Sequence, residues 1–188
     1  MPERKIGWEL SGGAALLFAL AYFLDNEGLI AAMLPAIVIH ELGHVFALKR
    51  FHARIRRVRI GVFGIELNYS GALAPSELVI VALAGPAAGL IYTLPAVKAG
   101  GGYFSLSGSI SAFLSVFNLL PILPLDGGRI VESLAGRKCA EVISLAGAIF
   151  LFVNGIVLMV LYRVPAPAAV GLWLLCCRIR RKQKLFSY

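Results

Sequence analysis

The chain has 188 residues, 59% of them hydrophobic, and a mean hydropathy of +0.84. The length suits one domain, residues 1–188, and the composition excludes an ordinary soluble fold in favour of a polytopic membrane protein. The net charge of +8 does not argue for nucleic acid, because the basic residues gather beside apolar segments, where they encode topology.

Six apolar stretches suggest crossings, the first and last of them short: Trp8 to Leu24, Leu29 to Leu48, Ser76 to Val97, Leu106 to Pro121, Ala140 to Tyr162, and Val164 to Cys177. The first follows Arg4 and Lys5 and resembles a signal peptide, but the cleavage-like triplet Ala19-Leu20-Ala21 lies inside the apolar run, so it reads as an uncleaved span. The second carries His40-Glu41-Leu42-Gly43-His44. Two imidazoles and a carboxylate within one greasy helix are costly unless they have a partner. On a helix, residues i and i+4 share a face, so His40 and His44 can offer two nitrogens to one metal ion. Glu41 stands about a quarter turn away, within reach of a water on that metal. This is the arrangement of two zinc ligands and a general base that the H-E-x-x-H pattern carries.

Beyond that span, Arg50 to Pro75 alternates Val58, Ile60 and Val62, then Ile65, Leu67 and Tyr69, with Gly61 and Gly64 as turn material. The pattern predicts a β-hairpin or small sheet against the membrane surface, serving either as plain structure or as an edge for an unwound substrate segment. Arg54, Arg56, Arg57 and Arg59 within it suit topology and anionic lipid better than a protein partner. The third span holds Gly85-Pro86-Ala87-Ala88-Gly89, whose small residues four apart predict close helix packing.

A catalytic zinc usually takes three protein ligands and keeps a position for water. His52 lies past the helix end in a basic segment and is a poor third ligand. The better candidate follows the fourth span, at Asn118-Leu119-Leu120-Pro121-Ile122-Leu123-Pro124-Leu125-Asp126-Gly127-Gly128, where two prolines break an apolar helix. Irregular backbone at membrane depth is tolerated only where protein or a cavity surrounds it, and a carboxylate held there calls for a cation. Counted at 1.5 Å per residue, His40 and Asn118 both lie roughly 17 to 18 Å along their helices. Arg129 to Arg137 reads as a short interfacial helix. Cys139, Cys176 and Cys177 are few and sit in or beside apolar segments, which argues against a disulfide framework and for small apolar packing over palmitoylation.

Of the 18 Lys and Arg residues, all but Lys98 and Arg163 fall on one side if the N-terminus is cytosolic. That bias requires an even number of spans and puts both termini, and the opening of the site, in the cytosol.

H-E-x-x-H in an early span together with N-x-x-P-x-x-P-L-D-G in a later one resembles the site-2 protease family of intramembrane zinc metalloproteases, peptidase family M50. The resemblance covers the core from Leu29 to Arg129. It implies His40, His44 and Asp126 as ligands to Zn2+, Glu41 as catalytic base, and Asn118 as a polar residue assisting substrate or oxyanion binding. The run at Gly85 is similar to the family's G-P-x-x-N element, with Gly89 in place of the Asn. PDZ or CBS modules that many members append find no room, and the short six-span layout is most similar to the stage IV sporulation protein FB type. The implied activity is regulated intramembrane proteolysis of a membrane-associated or single-span protein, such as a transcription regulator or an anti-sigma or pro-sigma factor. The partners implied are that substrate and the lipid bilayer, with room for a homo-oligomer or a regulatory membrane partner. A bacterial cell membrane is the expected location. The alternatives are a metal-ion transporter using the same His and Asp ligands, disfavoured by the lack of an internal repeat, and an inactive membrane scaffold.

Overall fold

The computed structural model describes residues 7–11, 15, 25, 28–61 and 64–186. Among them are three strands, β1 (Gly7–Leu10), β2 (Arg54–Gly61) and β3 (Gly64–Ser70). The helices are α1 (Leu29–Arg50), α2 (Pro75–Ala99), α3 (Gly102–Asn118), α4 (Asp126–Ala135), α5 (Arg137–Tyr162) and α6 (Ala166–Phe186). The chain forms two compact units, Met1–Val116 and Phe117–Tyr188.

Three of these helices, α1, α2 and α5, are long and apolar enough to cross a membrane. Their large apolar side chains point outward, Phe46, Ile91 and Phe150 being 75%, 72% and 66% exposed. A surface of that kind is stable only against lipid, so the chain is an integral membrane protein. The expected fourth span is α3, whose 17 residues extend about 26 Å. The apolar part of the sixth is Ala166–Cys177.

In the first unit, α1 starts where the Asp25 carboxylate accepts the N–H groups of Leu29 and Ile30, at 2.8 and 2.7 Å, answering two donors that have no carbonyl within the helix. α2 starts at Pro75, with the Glu77 carboxylate folded back onto the Ala74 N–H at 2.8 Å. Gly43 of α1 lies against Ala84 and Ala88 of α2, so the two backbones pack closely. The small-residue run around Gly85 does make that packing, as its spacing predicted.

The sheet order is β1-β2-β3. β2 and β3 pair antiparallel with Val58 opposite Leu67 and Ile60 opposite Ile65, and Gly61 opposite Gly64 closes the hairpin. The third strand comes from the N-terminus. β1 runs parallel to β2, Trp8 beside Val58 and Leu10 beside Ile60, and Glu9 reaches Arg57 and Arg59 at 3.4 and 3.5 Å. This corrects the expected start of the first span. Trp8 to Leu10 are strand, because the open edge of β2 supplies partners for their backbone groups. The rest of that span, 12–14 and 16–24, lies outside the described residues, as does Val62.

In the second unit, Ile122, Leu125, Ala148 and Leu174 form a buried cluster, flanked by Phe117, Leu120, Leu151 and Trp173. The segment between α3 and α4 therefore anchors itself by its own leucines and isoleucine against α5 and α6. α4, expected as a short helix from Arg129, begins three residues earlier at Asp126 and ends at Gly136, whose φ of 81° suits glycine.

Pro35 lies inside α1 and has no N–H to give the Ala31 carbonyl. The Tyr103 hydroxyl of α3 donates to that carbonyl at 2.9 Å. A neighbouring helix thus satisfies what the proline leaves open, as helix-breaking residues in membranes require. Tyr103→Phe is expected to lower unfolding stability in detergent by about 1 kcal/mol. In a Pro35→Ala background the same change should cost clearly less, since the alanine restores the missing N–H; equal losses in a double-mutant cycle would rule the pairing out.

Candidate metal centre

His40 and His44 occupy consecutive turns of α1 and are buried, 5% and 8% exposed. Their Nε2 atoms are 3.2 Å apart and their rings stand edge to face, centroids 4.9 Å apart. Two imidazole nitrogens about 2.0 to 2.1 Å from one tetrahedral ion would be separated by about 3.3 Å. The pair is already at the span such an ion needs.

His44 is held from behind. Its Nδ1 lies 2.8 Å from the Val81 carbonyl of α2, an acceptor, so Nδ1 carries the proton and donates, leaving Nε2 with a lone pair aimed at His40. A bond of this type sets the tautomer and ring orientation of metal-binding histidines. Space for the ring comes from Gly85, one turn after Val81. A Cβ built there would overlap Nε2 of His44 and stand 2.8 Å from its Cδ2. The sequence suggested helix packing at this run; it also cradles an imidazole, which spacing alone does not reveal.

Glu41 follows His40 on α1 and is half-buried. His52 is exposed in the turn after α1, at a φ of 58°, with its N–H on the Lys49 carbonyl, away from the pair as expected.

In the second unit, α3 stops at Asn118 because Pro121 lacks the N–H that the Phe117 carbonyl would take; that carbonyl receives Leu120 N–H instead, at 3.1 Å. Pro124 likewise lacks the donor for the Leu120 carbonyl, which takes Ile122 N–H at 2.7 Å. The chain then enters α4 with Asp126 as its first residue, 5% exposed at a helix N-terminus where the macrodipole favours a carboxylate. Gly127 permits this close turn, since a Cβ there would strike the Leu119 and Leu120 carbonyls. Asn118 is half-buried at the end of α3.

A donor atom from each of His40, His44 and Asp126 lies within 4.8 Å of the others, all three side chains being buried, so these residues are positioned to bind a metal ion. Two imidazole nitrogens and one carboxylate oxygen form the two-histidine, one-carboxylate donor set of open zinc sites.

Residues 101–162 match the profile of peptidase family M50. A Synechocystis sp. relative that carries a zinc-metalloprotease name is 31% identical over 138 residues, 67% of this chain and 34% of the relative. Stage IV sporulation protein FB of Bacillus subtilis is 29% identical over 133 residues, 65% of this chain and 46% of that protein. The profile and these relatives support the site-2 protease family for this chain. Its fold is similar to that of the solved site-2 protease from Methanocaldococcus jannaschii, with a TM-score of 0.71 at 18% identity, covering 96% of this chain and 92% of that one. The chain spans about a third of the length of the first curated relatives it matches, 34% in each case.

Val81 and Gly85 were not visible as site residues beforehand. A backbone carbonyl has no sequence signature, and only the G-P-x-x-G spacing marks the place. Gly85→Ala should push the His44 ring off the Val81 carbonyl and lower metal affinity by about 10- to 100-fold. Chelator competition on the purified protein measures this, and unchanged affinity with an intact fold would refute the cradle.

Proposed function

We propose that this chain is an intramembrane zinc metalloendopeptidase that cuts a membrane-embedded or membrane-tethered protein. The reading is carried by one observation: two buried imidazoles with Nε2 atoms 3.2 Å apart, on a membrane-length helix that also holds Glu41. His40, His44 and Asp126 would hold the ion. Zinc bound there would supply Lewis acidity to the attacking water and the scissile carbonyl. Glu41 then accepts the water's proton and returns it to the leaving amine, so one carboxylate serves as base and then acid. The Asn118 amide donates to the oxygen on which negative charge develops. His44 keeps its Nδ1 proton on Val81 throughout, so the ring neither turns nor changes tautomer.

We read residues 1–188 as a single membrane domain with both termini and the opening of the site in the cytosol, in a bacterial cell membrane. Pairing of β1 with β2 supports that topology, because it keeps 7–10 and 54–61 on one side of the bilayer. Basic residues on β2 and at the end of α1 favour the cytosolic face for that side. The substrate class we favour is a transcription regulator, anti-sigma or pro-sigma factor. A substrate whose backbone is unwound can add to a sheet edge, and β3 is at an edge among the described residues.

Co-expression with a membrane-tethered candidate substrate tests the proposal. Glu41→Gln is expected to keep the metal and lose cleavage by about 10²- to 10⁴-fold. Asp126→Ala should lose both. Cleavage that persists in the two variants would reject the mechanism, and metal flux undiminished in Glu41→Gln would favour a transporter.

A further inference from the structure

The segment between α3 and α4 has five residues that can donate a backbone N–H after Asn118, because Pro121 and Pro124 have none. Leu120, Ile122 and Leu125 give theirs to carbonyls at Phe117, Leu120 and Ile122, within the segment or at its entrance. Leu123 does not. Its N–H crosses to α5 and donates to the Ser144 hydroxyl at 2.8 Å, and that hydroxyl donates in turn to the Ala140 carbonyl at 2.5 Å. A hydroxyl carries one proton and two lone pairs, so the polarity is settled at both ends. Ser144 is 3% exposed. Around it the contact is apolar: Ile122 rests where a side chain at Gly147 would stand, and Leu125 belongs to the buried cluster with Ala148.

We propose that Ser144 is the positioning residue for Asp126. The inference rests on the reading of Asp126 as a metal ligand, and adds which side chain fixes the approach to it. Leu123 is three residues before Asp126, and the two residues between are Pro124 and Leu125, the latter the extended N-cap residue of α4, with φ −62° and ψ 161°. Fixing the Leu123 amide therefore fixes the entry of the helix on whose first residue the carboxylate is carried. Apolar packing anchors this segment against α5 and α6 but is non-directional, and so leaves the orientation of the Leu123 amide freer than a hydrogen bond does. A directional bond to one hydroxyl removes that freedom. Without it, Leu123 would hold a buried donor with no partner, and the segment would shift to find one. Ser144 is not one of the three candidate ligands and bonds only to backbone at Leu123 and Ala140, so its effect is on ligand geometry, in the way outer partners of metal sites act.

The test is zinc affinity of the purified full chain, read by competition with a chromogenic chelator, alongside thermal unfolding of the metal-free protein. Ser144→Ala is expected to weaken zinc binding about 10- to 100-fold. Ser144→Thr, which keeps the hydroxyl and its bond to the carbonyl four residues back, should stay within about threefold of the parent. Ser144→Cys, close in size but a poor acceptor, should bind zinc at least about fivefold more weakly and serves where the alanine variant does not fold. Equal affinity in the parent, alanine and cysteine chains would overturn the proposal, as would a threonine variant as weak as alanine. A parent chain that binds no zinc would instead reject the metal-site reading itself.

Discussion

Hydrocarbon offers no hydrogen bonds, so each polar group that enters the membrane must be answered by another part of the protein. The structure is organised around that demand. Pro35 would leave the Ala31 carbonyl bare, and Tyr103 answers it. Pro121 and Pro124 interrupt the end of α3, and the carbonyls they leave take donors from nearer residues, with Leu123 turning to Ser144. The imidazole of His44 hands one nitrogen to Val81 and keeps the other for its neighbour. Each departure from regular helix is met by a particular partner.

The same demand explains the polar face of α3. Ser107, Ser111 and Ser115 are all buried, spaced four apart along one side of the helix. Tyr92 pairs with Ser107 at 3.0 Å, Ser111 donates to the Gly89 carbonyl at 3.0 Å, and Thr93 bonds to the carbonyls of Gly89 and Gly108. Apart from the Thr93–Gly89 bond, which lies within α2, these tie α2 to α3 where leucines could pack as well against lipid as against protein. Position 89, where the family's element has Asn, is filled from the other helix: a side chain there would meet the Ser115 and Ser111 hydroxyls. The polar atoms at this level of α2 come from α3.

A helix pair locked in this way gives the histidines a fixed wall. Val81, Gly85 and Gly89 follow one another at four-residue spacing on α2, the first holding the His44 proton, the second making room for its ring, the third receiving the serines. Rigidity here has a chemical purpose, because a metal site tuned by its ligands' orientation loses affinity when those ligands wander.

Much of this was legible in the linear chain. Apolar length located the crossings α1, α2 and α5, since a membrane-spanning helix must satisfy its backbone locally and show an unbroken greasy run. The spacing of His40 and His44 on one helix face is likewise local geometry, and the two prolines before Asp126 announced a break. What the chain order left undecided were contacts between residues far apart in sequence. Trp8 to Leu10 read as the start of an apolar span until the edge of β2, about 50 residues on, is there to pair with them. Val81, Tyr103 and Ser144 are an unremarkable valine, tyrosine and serine until folding sets a carbonyl or a hydroxyl opposite a particular partner. Periodicity along the chain determines elements and which faces they show. Directional bonds between elements depend on positions in space, and only the tertiary structure decides those.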